Sequence, residues 1–153
     1  MVADNERKPS KRLVFVCTGN TCRSPMAEAL ARSLAPAGWE VLSAGLHASV
    51  GRPPTPEAVQ AAAECGADLS DHRVRSMTDA LAFSATLLVG MTSDHAAELR
   101  ARFPFAAGKV RMLGDYGPAF LHDIPDPFGG SLADYRSCIR DIRACLTGLC
   151  DSL

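Results

Sequence analysis

The feature that most constrains this chain is the segment 13–25, where four apolar residues lead into a cysteine, a Gly-Asn pair and an arginine. Residues 13–16 predict a strand buried on both faces of a parallel sheet, because the apolar run is unbroken. Ser24 suits an N-cap and Pro25 the first position of a helix, which we expect to extend over residues 26–34. The segment therefore predicts a strand, a tight loop and a helix.

The loop over residues 17–23 has the composition of an anion-binding site. Backbone N–H groups and the positive end of a helix dipole converge where a strand passes into a helix. Gly19 and Asn20 tolerate left-handed backbone angles, which can turn amides toward one point. We expect these amides to lower the pKa of Cys17 and make it a thiolate nucleophile. Arg23 offers a planar fork for two oxygens of a phosphoryl group.

Other interpretations of this loop fit less well. A cysteine at a strand end is more often a packing residue than a nucleophile. Cys17 and Cys22 are four residues apart, whereas zinc sites use closer pairs with further ligands, so no metal is predicted. No Gly-Lys-Ser/Thr ends the loop, which excludes a nucleotide P-loop. The combination of strand, Cys, Gly-Asn turn, Arg, Ser and helix favours catalysis.

Length and composition predict a single domain. The chain has 153 residues, of which 47% are hydrophobic and 22% charged, enough for one apolar core. Residues 1–12 are polar and basic and predict a flexible arm, which leaves 13–153 as the domain. Sixteen basic and seventeen acidic residues give no argument for nucleic acid or an anionic membrane.

The same sequence predicts a cytoplasmic protein. No apolar stretch approaches membrane length, and the N-terminus is charged rather than a signal peptide. The six cysteines have no dense scaffold spacing, so we expect free thiols.

Beyond the loop, strands and helices alternate, which predicts a parallel sheet covered by helices. The further predicted strands are residues 39–45, 86–91 and 110–113, and the further helices are 56–65, 78–83, 94–103 and 132–149. Residues 46–56 predict a loop at the pocket mouth, and Ser131 an N-cap of the last helix.

Residues 17–28, Cys-Thr-Gly-Asn-Thr-Cys-Arg-Ser-Pro-Met-Ala-Glu, resemble the signature of the low-molecular-weight protein-tyrosine phosphatase family. Asp126 and Pro127 resemble its second motif, and the likeness covers nearly the whole chain from Leu13 onward. Thr21 and the run 126–131 resemble the bacterial protein-arginine phosphatase branch. The resemblance implies an α/β three-layer sandwich with a four-stranded parallel sheet in the order 2-1-3-4, as in phosphotyrosine protein phosphatase I.

Hydrolysis in this family needs a nucleophile, groups that stabilise charge on the phosphoryl oxygens, and a proton donor for the leaving group. The sequence contains residues suited to all three roles. Cys17 would attack phosphorus and form a phosphocysteine, while Arg23 and the backbone amides of residues 18–23 hold the oxygens. Asp126 would protonate the leaving atom and then deprotonate water. Ser24 resembles the family serine that stabilises the thiolate as a leaving group. No metal or organic cofactor is required.

Several other residues gain expected roles from the resemblance. Ser43 and His72 would brace Asn20, while His47 takes the place where the arginine branch has an aromatic residue. His47 could stack on the substrate, donate a hydrogen bond, or have no role. Phe128 would form one wall of the pocket. The remaining residues expected around the substrate belong to the loop, namely Thr18, Gly19, Thr21 and Cys22.

Substrate choice is expected to depend on the pocket. Tyrosine-specific members usually have a larger aliphatic residue where Thr21 stands, so phosphoarginine in proteins is favoured over phosphotyrosine. An arsenate reductase would need relay cysteines after the third strand, and none occurs between Cys65 and Cys138. A phosphoprotein-binding pseudophosphatase would have lost the nucleophile or the acid, whereas Cys17 and Asp126 are both present. The expected enzyme is a monomer.

The remaining cysteines leave alternatives open. Cys22 could form a reversible disulfide with Cys17 that shields the nucleophile, or it could simply pack. Cys138, Cys145 and Cys150 have no predicted role beyond packing.

Overall fold

A computed structural model describes residues 11–153, which form a four-stranded parallel sheet between two layers of helices. The strands are β1 Lys11–Cys17, β2 Trp39–Gly45, β3 Leu87–Gly90 and β4 Val110–Met112, in the spatial order β2-β1-β3-β4. The helices are α1 Arg23–Leu34, α2 Pro56–Glu64, α3 Asp79–Ser84, α4 Ser93–Arg102 and α5 Leu132–Asp151. This confirms the predicted fold class and strand order.

The central strand β1 divides its side chains between two cores. Leu13 and Phe15 pack in a cluster with residues of α1, α2 and α5. Val14 and Val16 pack in a second cluster with residues of α3 and α4 on the opposite face of the sheet. All four are fully buried, because successive strand residues point to opposite faces and both faces are covered.

The start of β1 differs from the prediction. Lys11 and Arg12, which we assigned to the arm, are the first strand residues and pair with Trp39 and Glu40 of β2. The Lys11 ammonium lies 5.5 Å from the centroid of the Trp39 ring, and Arg12 Nε donates to Glu40 at 2.9 Å. These partners come from β2, so the local sequence did not reveal them. The rest of the predicted arm, residues 1–10, lies outside the described residues.

The start of α1 also differs from the prediction. The N-cap is Cys22, without a side-chain cap, so Ser24 and Pro25 are the second and third helical residues. Proline is compatible with this position because the first four N–H groups of a helix have no intrahelical partner. The Ser24 hydroxyl binds other groups, described below. Every other element begins and ends within two residues of its predicted position.

Parallel pairing brings the ends of β1, β2 and β3 to one edge of the sheet. Cys17 at the end of β1 is in register with Gly45, and Val16 with Gly90. A Cβ on Gly45 would lie 2.7 Å from the Thr18 carbonyl oxygen, so glycine is needed for this close approach. Among residues 11–153, no helix is both long and apolar enough to cross a membrane.

Helix α5 begins with a capping box, which generates a prediction for stability. The Ser131 hydroxyl accepts from the Asp134 N–H at 3.3 Å, and the Asp134 carboxylate accepts from the Ser131 N–H at 2.9 Å. We expect Ser131→Ala to lower the free energy of unfolding by about 1 kcal/mol. Urea denaturation measures this change. The control is Ser137→Ala on the exposed face of α5, where alanine is a good helix former; equal effects of the two substitutions would contradict the capping role.

Candidate active site

The phosphate loop, residues 17–23, connects β1 to α1 and surrounds the Cys17 sulfur with donors. Cys17 is 3% exposed, and its Sγ lies 2.9 Å from Ser24 Oγ. The Asn20 backbone N–H donates to the same sulfur at 3.3 Å. The Asn20 side-chain amide donates to Ser24 Oγ at 2.8 Å, which leaves the Ser24 hydroxyl proton free to point at sulfur. Each of these donors stabilises the thiolate form of Cys17 relative to the thiol.

Asn20 holds the loop in shape from behind. It is fully buried and has φ 57°, whereas Gly19, which also tolerates left-handed angles, has no positive φ. The Asn20 side chain donates to Ser43 Oγ at 2.9 Å and accepts from the Arg75 backbone N–H at 2.9 Å. His72 Nε2 lies 3.0 Å from the Asn20 carbonyl oxygen. The structure therefore places Ser43 and His72 in contact with Asn20, as expected.

The Arg23 side chain joins the phosphate loop to the segment that contains Asp126. Arg23 is 5% exposed and donates from one guanidinium nitrogen to the Ile124 carbonyl oxygen at 3.0 Å. Its other terminal nitrogen lies 3.6 Å from Asp126 Oδ2. The Ile124 N–H donates to the Met91 carbonyl oxygen at 2.9 Å, just after β3. The position of the carboxylate is thus fixed through the backbone beside it.

Asp126 itself is half-exposed and faces the same cavity as Cys17. Its Oδ1 accepts from the Phe128 N–H at 3.0 Å, a turn contact that leaves Oδ2 toward Arg23. The carboxylate is therefore oriented at both oxygens while remaining open to solvent.

The pKa of Cys17 differs from the sequence expectation. Burial raises the pKa of the Cys17 thiol above its ordinary value, and this is the largest influence on it. The Ser24 hydroxyl and backbone, the Arg23 charge and the Asn20 N–H all lower that pKa. The expected donors are therefore present, but removing the sulfur from water outweighs them.

A cavity of about 390 Å³ opens above the phosphate loop. Of the residues we predicted for catalysis and substrate binding, only Asn20 and Ser24 do not line it, because both are buried behind the loop. The cavity is lined by Cys17, Thr18, Gly19, Thr21, Cys22, Arg23, His47, Ser49, Arg52, Pro53, Pro54, Thr55, Pro56, Asp126 and Phe128. Within residues 11–153, no three His, Cys, Asp or Glu side chains cluster as metal ligands would.

His47 lies at the cavity but has a protein partner. Its Nε2 is 2.9 Å from Glu98 Oε2, and Arg102 binds the same carboxylate oxygen at 3.2 Å. The ring is largely exposed. His47 therefore pairs with α4 rather than lying free to stack on a bound side chain.

Cys22 lines the cavity but is 4% exposed, because it is packed between the phosphate loop and helices α2 and α5. Its Sγ lies 3.3 Å from the Tyr135 hydroxyl of α5 and 3.7 Å from Thr55 Oγ1, the N-cap of α2. Burial and the contact with Cys22 raise the pKa of Tyr135. Both Cys17 and Cys22 are free thiols in this structure, and a disulfide between them stays a prediction.

Sequence reasoning missed His95, which contacts the loop from α4. His95 is 6% exposed, and its Nε2 lies 2.9 Å from Thr18 Oγ1. Burial, followed by the nearby Arg23 charge, lowers the pKa of His95 to about 4, so its ring is neutral near pH 7. The strand order could have indicated this contact. Because β1 and β3 are neighbours in the sheet, the helix that follows β3 begins beside the loop that follows β1.

Comparison with known proteins agrees with this geometry. The family model for low molecular weight phosphotyrosine protein phosphatase matches residues 12–153. The chain is 39% identical over 144 residues to the protein-arginine-phosphatase of Bacillus subtilis, covering 92% of this chain and 95% of that protein. It is 38% identical over 133 residues to the probable low molecular weight protein-tyrosine-phosphatase EpsP of Ralstonia solanacearum, covering 87% and 89%.

A solved structure extends the similarity to the mechanism. A mutant of the YwlE arginine phosphatase, with a phosphorylated active-site serine in place of cysteine, has a TM-score of 0.86 and 38% identity to this chain. The match covers 93% of this chain and 95% of that one. The chain belongs to the low-molecular-weight protein phosphatase family, which uses a cysteine-based mechanism. It is accordingly a hydrolase.

The contact between Ser24 and Cys17 generates a prediction for the thiol. We expect Ser24→Ala to raise the pKa of Cys17 further, because a donor that favours the thiolate is removed. The rate of alkylation by iodoacetamide, followed against pH, measures this pKa, and its midpoint should move to higher pH. Ser33→Ala is the matched control on α1, since the Ser33 hydroxyl donates to the Leu30 carbonyl oxygen instead. An unchanged midpoint in Ser24→Ala would contradict the assignment.

Proposed function

We propose that this protein hydrolyses phosphoarginine in protein substrates. The observation that carries the proposal is the side chain of Thr21, which lines the cavity above Cys17 where a bulkier aliphatic residue would narrow it. The 39% identity to the protein-arginine-phosphatase of Bacillus subtilis supports the same choice. The single aromatic Phe128, followed by Gly129 and Gly130, leaves one cavity wall thin.

In the proposed mechanism, Cys17 is the nucleophile. Its sulfur attacks phosphorus in line with the bond that breaks, and a phosphocysteine forms as the leaving nitrogen departs. The amides of residues 18–23 and the Arg23 guanidinium bind the three phosphoryl oxygens, whose charge they stabilise in the transition state. The position of Arg23 is fixed by its bond to Ile124, so little reorganisation is needed during the reaction.

Asp126 is the proposed general acid and base. It faces the cavity with Oδ1 held by the Phe128 N–H and Oδ2 3.6 Å from Arg23, so the half-exposed Oδ2 can reach the leaving atom beside the phosphoryl group that Arg23 binds. It would donate a proton to the guanidine nitrogen in the first step and take one from water in the second. In that second step the Ser24 hydroxyl, 2.9 Å from the sulfur, would stabilise the departing Cys17 thiolate.

Thr21 is the proposed selector of the substrate side chain. Its hydroxyl can accept a hydrogen bond from a guanidinium N–H, and its small size leaves room for the planar group. A phenyl ring has no such donor and gains more from a large apolar wall. The difference favours phosphoarginine over phosphotyrosine.

Phosphotyrosine is the second candidate substrate. Phe128 is 66% exposed at the cavity, so its ring is available to pack against a phenol. The similarity to EpsP, named a probable protein-tyrosine-phosphatase, favours the same substrate. The phosphate loop is proposed to bind only the phosphoryl group and not the leaving group. Aryl phosphates should therefore be hydrolysed whether the natural substrate is phosphoarginine or phosphotyrosine.

We also propose that the protein acts as a monomer in the cytoplasm. All six cysteines are free thiols, a state that a reducing compartment maintains. The monomeric state rests on the sequence expectation alone, and analytical ultracentrifugation tests it.

The role of Asp126 is tested through leaving groups. We expect Asp126→Asn to reduce kcat about 10²- to 10⁴-fold for substrates with poor leaving groups, because the proton donor is lost. Activated aryl phosphates, whose leaving group needs little protonation, should be affected much less. Steady-state rates across a series of aryl phosphates give the comparison. Asp141→Asn is the control, since that carboxylate lies in the shallow groove behind Asp126 and outside the main cavity.

The substrate is tested by comparing one protein carrying phosphoarginine with a matched protein carrying phosphotyrosine. We expect wild type to have the higher kcat/KM for phosphoarginine, and Thr21→Ile to lower this preference about tenfold or more by adding bulk and removing a hydroxyl. Thr147→Ile, on the exposed surface of α5, is the matched control, and Cys17→Ser gives the inactive baseline. A wild-type preference for phosphotyrosine would overturn the phosphoarginine proposal.

A further inference from the structure

We propose that His95 holds the Thr18 hydroxyl as a second acceptor for the guanidinium of the substrate, so that Thr18 helps to select phosphoarginine. The inference rests on the proposed function and concerns the side chain of Thr18, whereas the mechanism above uses only its backbone amide. Thr18 is an exposed residue of the cavity wall, and His95 is buried beside it. The two side chains meet at 2.9 Å between Oγ1 and Nε2.

The direction of this hydrogen bond follows from the other ring nitrogen. His95 Nδ1 is buried and has no hydrogen-bond partner among residues 11–153. A buried N–H without a partner is rarer in proteins than an acceptor without one, so the proton of the neutral ring belongs on Nε2. His95 Nε2–H then donates to Thr18 Oγ1. The Thr18 oxygen keeps a second lone pair for a donor in the cavity.

The histidine ring is fixed by its position in α4. The His95 backbone N–H donates to Thr92 Oγ1, the N-cap of this helix, at 3.2 Å. Gly90 at the end of β3 allows α4 to approach, since a Cβ there would lie 3.1 Å from the His95 Cβ. His95 therefore presents its donor from a rigid helix start rather than from a loop.

The backbone of Thr18 is also held. Its carbonyl oxygen accepts from the His47 N–H at 2.9 Å, and Gly45 packs closely against the same oxygen. With the backbone fixed, the bond to His95 selects the side-chain rotamer of Thr18. Its hydroxyl oxygen thus faces a defined direction beside Cys17.

The chemistry of the two candidate substrates makes the consequence specific. A guanidinium carries several N–H donors and no acceptor, so an oriented hydroxyl oxygen is a partner for it. The phenyl ring of phosphotyrosine offers no such donor. Phosphoarginine therefore gains a hydrogen bond to Thr18 that phosphotyrosine cannot make, which strengthens its binding relative to that of phosphotyrosine.

The test compares two pairs of variants. Thr18→Val and His95→Leu remove the hydroxyl and the donor, while Thr18→Ser and His95→Gln keep a hydroxyl and a side-chain N–H. We expect the first pair to lower the ratio of kcat/KM for phosphoarginine to kcat/KM for phosphotyrosine about tenfold, mainly through KM for phosphoarginine. The second pair should stay within about threefold of the wild-type ratio. The same two protein substrates serve for every variant.

A double variant and a folding control separate positioning from general damage. Because His95 acts through Thr18, Thr18→Val combined with His95→Leu should lower the ratio no further than Thr18→Val alone. Thermal unfolding checks that each variant is folded. If His95→Leu does not fold, the comparison of Thr18→Val with Thr18→Ser still decides. An unchanged ratio in Thr18→Val, or equal losses on both substrates, would overturn the inference.

The outcomes also separate this inference from the proposed function. A wild type that prefers phosphotyrosine overturns the proposed function, yet a selective loss of phosphoarginine hydrolysis in Thr18→Val would still support the inference. A wild type that prefers phosphoarginine while Thr18→Val keeps that preference supports the function and overturns the inference.

Discussion

The hydrogen bonds of one buried asparagine, Asn20, determine the shape on which the rest of the site depends. Its amide donates to Ser24 and Ser43, its side-chain oxygen accepts from the Arg75 N–H, and its carbonyl oxygen accepts from His72. A left-handed, fully buried residue is costly unless its polar groups are paired, and here each has a partner. These bonds tie the phosphate loop to β2 and to the segment before α3.

The parallel sheet explains why this network can form at all. Neighbouring strands end at the same edge, so Cys17, Gly45 and Gly90 lie side by side although they are far apart in sequence. Each of the three strands then supplies a different part. After β1 comes the anion-binding loop, after β2 the segment with His47, and after β3 the backbone that anchors Ile124 and hence Arg23. Glycines at this edge have no Cβ, so the backbone of Gly45 can approach Thr18 and that of Gly90 can approach α4.

The sequence predicted what local patterns encode and missed what depends on tertiary contacts. The loop could be recognised because its residue types and spacing are unusual, and the strands because their apolar runs match burial on two faces. Asp126 was assigned because Asp126 and Pro127 resemble the second motif of the family. The predicted cap at Ser24 was wrong because its hydroxyl binds Asn20 and Cys17 within the phosphate loop, and the helix begins at Arg23 with Cys22 as its N-cap. His95 was missed because its contact with Thr18 follows only when the strand order is combined with the start of the helix after β3, and its own neighbours in the sequence do not indicate that contact.

Burial and the surrounding donors shift the pKa of Cys17 in opposite directions, and this is compatible with its proposed role as the nucleophile. Burial raises the pKa of the thiol, while Ser24, Arg23 and Asn20 lower it. A neutral sulfur does not repel an incoming phosphoryl dianion, whereas a thiolate would. A thiol bound to a phosphoryl dianion and a thiolate bound to a phosphoryl monoanion contain the same number of protons. The proton can therefore move from sulfur to the phosphoryl group after the substrate binds, without exchange with solvent. The donors around Cys17 already occupy the positions that stabilise the thiolate at that moment, which is the form of preorganisation that lowers a reaction barrier.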